Sequence, residues 1–488
     1  MRQRALAAVA GAICCVGSLA VTGMASAQAA PATSGSSGAA SPWGKAIEIP
    51  GLGALNKGGF AFPSSMSCVS AGNCVAAGQY NGSAGDQAFV VTESKGRWGK
   101  AIAVPGLSTL NKTGDLFEVS ISCGSAGDCA VGGDYIGPRD GTFAFVASEH
   151  NGVWGKAIKV PGLGTLDTSK KEGEDLTSLF CSPGGSNCTA GGSYEVGSGS
   201  TLGIIAYVVS ERNGRWGQAM PVSGLNPRQF SRILTLSCAS AGNCSAGGTL
   251  GGSEGFVVTE KKGTWGKAIM VPGLSALNTG DQAQVDQMSC ASAGNCVAGG
   301  NYLGSQDDEQ AFVVSERNGA WGNAIDIPGL KALNVAGAAE VHAISCPAPG
   351  DCTVSGTYEH TPTFGFQGYV VSEKNGKWGN AIEIPNLGRL NRGGDVEIAK
   401  VACTSAGNCA AGGNYALTRS NDSVNHAFLA IEVKGVWGKA APVPGLSALA
   451  SRESDVNAIA CPPSGPCVAG GSFEDSSGHI QGFVVNQK

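Results

Sequence analysis

The chain is poor in charge and in aromatic rings. Only 14% of its 488 residues are Asp, Glu, Lys or Arg, 6% are Phe, Trp or Tyr, and five are histidine. A net charge of −5 makes nucleic acid and an anionic bilayer poor candidates as partners, and neither is expected. Beyond the first 27 residues no run reaches the 18 consecutive apolar residues that a membrane helix needs, so membrane insertion is not expected. His150, His342, His360, His426 and His479 fall at unrelated positions without metal-ligand spacing, and no phosphate-cradling or calcium loop is present. No cofactor, no metal and no catalytic residue is therefore expected. Gly251-Gly-Ser-Glu-Gly255 spells Gly-x-Ser-x-Gly, but 77 glycines make this a chance match. Those glycines are too many for a helical protein, and 42% hydrophobic residues are too many for a disordered one.

What is present starts with an export signal. Met1 to Ala27 carries Arg2 and Arg4, an apolar stretch from Ala5 to Met24, and the small-x-small ending Ala25-Ser26-Ala27. Cys14 and Cys15 lie inside that stretch and leave with it. Residues 28–42 are Ala, Ser, Gly and Pro and read as a flexible leader. The mature protein is expected to be secreted, extracellular and monomeric, with residues 43–488 as its folded part.

That part is a repeat. Trp43, Trp98, Trp154, Trp216, Trp265, Trp321, Trp378 and Trp437 are each followed by glycine at intervals of 49 to 62 residues. Between them recur a Pro-Gly-Leu bend, a Ser-Cys, a turn, a second Cys, a Gly-Gly pair, an aromatic and Phe-Val-Val. Each unit reads as four strands, a to d, and no helix. Strand a is exemplified by Val119-Ser-Ile-Ser-Cys123, b by Cys296-Val-Ala-Gly-Gly-Asn-Tyr302, c by Ala88-Phe-Val-Val-Thr92, and d by Trp98-Gly-Lys-Ala-Ile-Ala-Val104. Alternation in d places Trp, Lys, Ile and Val on one face, and the following proline with Lys45, Lys100, Lys156 and Lys267 marks an edge. Strand c is apolar on both faces, so each small sheet must be covered on both sides. An all-β, eight-bladed β-propeller of four-stranded antiparallel blades meets that demand, against an open solenoid or two four-unit rings. The first tryptophan strand precedes the first unit and the last unit lacks one, so the N-terminal strand is expected to close the ring.

The 16 cysteines after the signal pair within units: Cys68 with Cys74, Cys123 with Cys129, Cys181 with Cys188, Cys238 with Cys244, Cys290 with Cys296, Cys346 with Cys352, Cys403 with Cys409, and Cys461 with Cys467. Seven are Cys-x5-Cys, and Cys181 and Cys188 have six residues between them. In Cys68-Val-Ser-Ala-Gly-Asn-Cys74 a type I turn with a left-handed glycine would set Val69 opposite Asn73 and Cys68 opposite Cys74, at about 4.5–5.5 Å between Cα atoms. That suits a disulfide worth about 2 kcal/mol. Metal ligation, the rival reading, wants other spacings and a reducing compartment.

The Gly-Gly pair of strand b, the aromatic after it and the tryptophan opening strand d resemble the kelch repeat. The hairpin Ser315-Glu-Arg-Asn-Gly-Ala-Trp321 resembles the Asp-box hairpin of sialidase-type propellers, with Arg317, Arg212 or Lys374 where that motif has aspartate. Both resemblances imply the propeller fold.

Strand polarity puts the a–b and c–d turns on one face of the ring and the b–c and d–a loops on the other. The first face is uniform, with Glu211, Glu316 and Glu373 offsetting turn cations. The second varies, through Arg139 and Asp140, Asp307-Asp308-Glu309, Glu359-His360, Arg419 to Asp422, and Glu474-Asp475. Asp115, Asp281, Asp395 and, nearby in register, Asp175 and Asp455 belong to that face, as do Tyr80, Tyr135, Tyr194, Tyr302, Tyr358, Tyr415 and Phe473 at the ends of b, where Leu250 departs. They are candidates for an acidic, aromatic-rimmed mouth that stacks a sugar or attracts a cation, or else for turn caps and wedges between blades. The expected ligand is carbohydrate, a cell-envelope component or a protein. The competing reading is an extracellular polysaccharide hydrolase or lyase with paired carboxylates at the channel mouth.

Overall fold

The computed structural model describes residues 41–488 apart from 84, 113, 138–139, 170–172, 306–307, 361–364 and 419–423. The expected export signal and all but the last two residues of the expected leader lie outside the described residues, as do Arg139, Asp307 and Arg419 to Asp422.

Eight antiparallel sheets follow one another, each ordered a, b, c, d. In the first blade strand a is Ala61–Ser70, b is Asn73–Gly82 and c is Gly85–Ser94. The a strands of successive blades touch all the way round, the last meeting the first, so they line a central channel. The eighth blade, Ser454–Ala460, Val468–Glu474 and Ile480–Asn486, takes its outer strand from Ile47–Glu48, paired with Val484 and Phe483. Trp43 bridges to Gln487. The ring is thus closed by the N-terminal strand. Strand c is covered on both faces, with Phe89, Val90 and Val91 all at most 1% exposed. One cluster joins Val484 and Ile49 of the closing blade to Phe89 and Val91 of the first.

All eight cysteine pairs are disulfides within a hairpin: Cys68 to Cys74, Cys123 to Cys129, Cys181 to Cys188, Cys238 to Cys244, Cys290 to Cys296, Cys346 to Cys352, Cys403 to Cys409, and Cys461 to Cys467. The expected spacing is corrected. Their Cα separations are 3.9 to 4.2 Å, tighter than antiparallel strand geometry alone would set, because the bridge draws the two strands together. The cysteines face each other in the ladder at Cys68 and Cys74, Cys123 and Cys129, Cys181 and Cys188, Cys238 and Cys244, Cys290 and Cys296, and Cys403 and Cys409. Two blades depart from that register. The pairing passes from Ser345 directly to Ala348 around Cys346 and Cys352, and in the last blade strands a and b stop at Ala460 and Val468, so Cys461 and Cys467 bridge just beyond the ladder. The turn is corrected too. Ser70, not Val69, faces Asn73, because the chain bulges at Val69. Gly72 takes the left-handed conformation there, at φ 70°. The second cysteine of every pair is buried: Cys74, Cys129, Cys188, Cys244, Cys296, Cys352, Cys409 and Cys467 are at most 4% exposed. The bridges therefore pin the root of each hairpin inside the blade stack rather than its exposed tip.

Two expectations about the outer edge are corrected as well. Strand d is broken in two, Arg97–Trp98 and Ile102–Ala103 in the first blade. Between the pieces the Ala101 amide leaves its own sheet and donates to the Pro50 carbonyl of the preceding blade at 2.8 Å. Every blade repeats this bond, and Ala46 to Pro444 closes the circle at 2.8 Å. The break resets the alternation: Ala101 and Val104 are buried while Ile102 is 46% exposed. The Pro-Gly-Leu bend also forms a helical turn, as in Leu52–Leu55, which drives Leu52 between blades at 0% exposure.

The Gly-Gly pair has a clear cause in its second member. A Cβ on Gly78, Gly133, Gly192, Gly248, Gly300, Gly356, Gly413 or Gly471 would lie 1.8 to 2.2 Å from a carbonyl oxygen in strand a or, for Gly192, from that of Asp175 just before it. The first position is laxer, since Ala77 and Ser355 occupy it in two blades. The second glycine faces a buried aromatic of strand c, such as Phe89 or Tyr369.

Candidate functional site

The residues whose carbonyls approach those glycines form one circle around the channel: Phe62, Glu118, Asp175, Arg232, Gln284, Glu340, Glu397 and Asp455. Five are acids. They stand at the start of strand a, where the d–a loops enter, so the circle lies at the end of the channel carrying the varied loops. Loop pairing supports that placement: Gly58 donates to Asn81 and Gly393 to Ala416, joining d–a to b–c loops, while Gly96 donates to Gly72 across the other face. The residue after each Gly-Gly faces the circle from strand b and is polar in every blade: Gln79, Asp134, Ser193, Thr249, Asn301, Thr357, Asn414 and Ser472.

A cavity of ≈ 360 Å³ opens in this channel, lined by Asp286, Asn301, Glu340, His342, Glu397 and Lys400 among others. His342 Nε2 sits 3.0 Å from Glu340 and holds that carboxyl below its usual range. Burial, then the nearby charges of Glu340 and Glu309, push Asp286 up to about 7. Burial, then Asp175 and Glu118, push Asp134 up to about 8. Burial, then Glu397 and Glu453, push Asp455 up to about 6. Two cations temper the circle. Arg232 pairs with Asp175 at 2.8 Å, and Lys400, its ammonium disfavoured by burial, lies near Glu118 of a non-adjacent blade across the channel. Among the described residues no three His, Cys, Asp or Glu side chains converge to hold a metal ion.

Of the residues singled out in the sequence, Asp455 and Asp175 are in the circle. Asp115, Asp281 and Asp395 are exposed in the d–a loops outside it. They do not hold their turns; asparagines do. Asn391 accepts from the Asp395 amide at 2.8 Å and donates to the Phe366 carbonyl at 3.0 Å, and Asn278 does the same with Gln282 and Ser253. Tyr80, Tyr135, Tyr302, Tyr358 and Tyr415 are at most 7% exposed and belong to the clusters between blades. Packing needs their rings as wedges, so they offer no stacking face at the mouth. The hydroxyls of Tyr302 and Tyr358 are taken by Asp326 and Glu383. Sequence reasoning missed Glu118, Asp134, Arg232, Asp286, Glu340, Glu397 and Lys400. The polar residue after each Gly-Gly, and polar residues interrupting an otherwise apolar strand a, were the signals.

The other face differs from expectation too. The glutamates ending strand c, Glu93, Glu149, Glu211, Glu260, Glu316, Glu373 and Glu432, are not surface charges; each is at most 4% exposed. Burial raises the pKa of every one. In several interfaces a side chain from the preceding blade answers: Arg212 meets Glu260 at 2.7 Å, Arg317 meets Glu373 at 2.7 Å, and the imidazole of His150 lies 3.5 Å from Glu211.

No family model matches the chain and no curated protein matches it, so the kelch-like and Asp-box-like resemblances rest on the motifs alone. Solved structures do match in shape. Sqt1 of Chaetomium thermophilum aligns with a TM-score of 0.50 at 9% identity over 91% of this chain and 98% of that one. The subtype N11 neuraminidase-like protein of A/flat-faced bat/Peru/033/2010 gives 0.37 at 9% identity over 91% and 95%, and the fucose-specific lectin of Aleuria aurantia 0.33 at 12% over 66% and 96%. At such identities the likeness concerns the fold alone.

Proposed function

We propose that this protein is a secreted binding module that takes a carbohydrate, an envelope fragment or a protein segment at the channel mouth on the b–c and d–a side. The observation that carries the reading is the polar circle itself: acids distributed over five blades, faced in every blade by a hydrogen-bonding residue of strand b, with Phe62 as its aromatic member. Carboxylates and amides side by side suit a hydroxyl-rich ligand, or one bearing an amine. Eight disulfides fit an oxidising compartment, and among the described residues no helix is long and apolar enough to cross a membrane. Acids spread around a rim serve retention better than a single scissile bond.

The second reading, hydrolysis or lysis of a polysaccharide, is favoured by one feature: in one cavity Asp286 is pushed up and Glu340 held down, as an acid and a base would need. A screen of residues 28–488 against polysaccharides, envelope fragments and proteins separates the two. Saturable retention without product, weakened by Glu397→Gln, is the expected result. New reducing ends, lost in Asp286→Asn, would replace the binding module with the hydrolase.

A further inference from the structure

In a repeat protein the other copies state what the fold alone demands, so departures that meet at one point call for another cause. Three meet where the second and third blades join, on the face opposite the channel mouth. The a–b turn carbonyl that accepts the c–d turn amide belongs to glycine in six blades, Gly72, Gly127, Gly242, Gly294, Gly350 and Gly407, but to Ser186 in the third. That turn is the one disulfide loop with an added residue, Cys181–Cys188. The residue after the strand c glutamate, Arg212, Lys261, Arg317 or Lys374 in four blades, is His150 in the second. Gly124 completes the set. It gives the enlarged loop room, since a Cβ there would stand 2.1 Å from the Gly185 carbonyl oxygen, and its own carbonyl accepts from Gly184 at 2.8 Å.

The result is a chain of contacts. Ser186 Oγ is 3.1 Å from His150 Nδ1, and His150 Nε2 is 3.5 Å from Glu211 Oε1, a carboxylate 1% exposed. Asp128 Oδ1 flanks the hydroxyl at 3.1 Å and Nδ1 at 3.9 Å, itself held by Ser125 at 2.6 Å. His150 is 37% exposed, so the imidazole is reached from solvent. Among the described residues neither the Gly185 nor the Ser186 amide donates a hydrogen bond, which leaves two backbone donors beside the hydroxyl for a developing oxyanion.

We propose that Ser186, His150 and Glu211 form an acyl-transfer site for small carboxylic esters, separate from the channel mouth. Ser186 Oγ adds to the ester carbonyl while its proton passes to His150 Nδ1. The carbon–oxygen bond to the alcohol breaks and the alcohol leaves with that proton. Water then adds to the acyl-serine, gives its proton to the same imidazole, and the acid departs as Ser186 is reprotonated. Glu211 is a positioning residue: its Oε1 stands 3.5 Å from Nε2 without a hydrogen bond at rest, and its charge draws the proton to Nε2 as the substrate settles the ring, so that Nδ1 is the acceptor. Asp128 competes for the hydroxyl in the resting state and steadies the imidazolium once it forms.

The repeat supplies its own controls. Ser186→Gly restores the residue six blades carry, and His150→Arg restores the clasp seen at Arg212 and Arg317, so both variants should melt as the parent does. The full mature chain is treated with a fluorophosphonate, labelled peptides are mapped by mass spectrometry, and p-nitrophenyl acetate and butyrate turnover is followed. We expect label on Ser186, none in Ser186→Gly, and a labelling rate in His150→Arg lower by about 10² or more. Glu211→Gln should lower kcat for the ester with KM unchanged. A normally melting parent without label on Ser186, or labelling indifferent to His150→Arg, overturns the proposal. Either result leaves the channel-mouth reading untouched.

Discussion

Two circles of carboxyl groups run around this propeller, and they follow different rules. The outer belt has glutamate at one position in seven blades, always buried and always opposite the tryptophan of strand d, as Glu93 is to Trp98 and Glu316 to Trp321. The channel circle holds Phe62, Glu118, Asp175, Arg232, Gln284, Glu340, Glu397 and Asp455 on a backbone that hardly changes. A residue that recurs with the blade answers a demand every blade makes, namely packing against the next one. A residue that changes on a constant backbone is under no such demand. On the proposed function, stability belongs to the belt and recognition to the channel, a division that substitutions on the two circles can break.

The largest effect should come from breaking both circles at once. Deleting residues 41–49 removes Trp43, 3% exposed, and Ile49, 0% exposed, together with the Ala46 to Pro444 bond. Two such side chains account for about 5 kcal/mol of burial. Denaturant unfolding should lose midpoint and steepness together; an unchanged curve would mean that the closing strand contributes nothing. Next comes the support beneath the channel circle. Gly413→Ala would set a Cβ 1.8 Å from the Glu397 carbonyl oxygen, and the backbone has no other way to pass, so a loss of about 3 kcal/mol is expected. Gly412→Ala meets chiefly side chains, Leu429 at 2.8 Å and Ile459 at 3.0 Å, and should cost at most about 1 kcal/mol. Equal losses at the two positions would refute the account of the glycine pair.

Much of this was legible beforehand, and for physical reasons. The period, the cysteine hairpins and the ring closure are matters of counting, and Phe-Val-Val cannot leave either face wet. The break in strand d was not legible, because nothing in Trp98 to Val104 says that the Ala101 amide will bond to another blade; two-residue ladders are too short to leave a periodicity. The four-residue turn at Leu52–Leu55 escaped for the same reason. The tyrosines stayed open between mouth and wedge because an aromatic at a strand end looks alike in both roles, and burial decides for the wedge. The channel circle was half visible. Asp175 and Asp455 were noticed, but Glu118, Glu340 and Glu397 were not, since their shared position is defined by the second glycine pressing on a carbonyl and not by any side-chain motif.

The belt and the channel should then respond differently to loss of one charge. Arg317→Ala strands Glu373, which is 1% exposed, without its cation, and a loss of about 1–3 kcal/mol is expected from urea midpoints. Glu397→Gln stays within about 0.5 kcal/mol because its side chain is open to the channel, while ligand retention falls. A stable Arg317→Ala beside a crippled Glu397→Gln would reverse the division of labour.

The smallest and most selective effect is a slope against pH. Asp134 is pushed up to about 8 when folded, against roughly 3.9 in an unfolded chain, so between those values the folded state holds the proton that the unfolded state has lost. Stability from this group is therefore present at acid pH and lost as pH rises towards 8, at no more than about 1.4 kcal/mol per pH unit. Asp134→Asn keeps the shape and removes the titration. Its melting temperature should match the parent near pH 4 and exceed it at pH 8, with the curve between flattened. The belt glutamates are raised as well and slope in the same direction, so some of the parent's acid preference must survive the substitution. If all of it survives, the proton uptake belongs to other groups, the belt glutamates with Asp286 and Asp455, and the Asp134 carboxyl is charged and available to a cationic ligand at neutral pH.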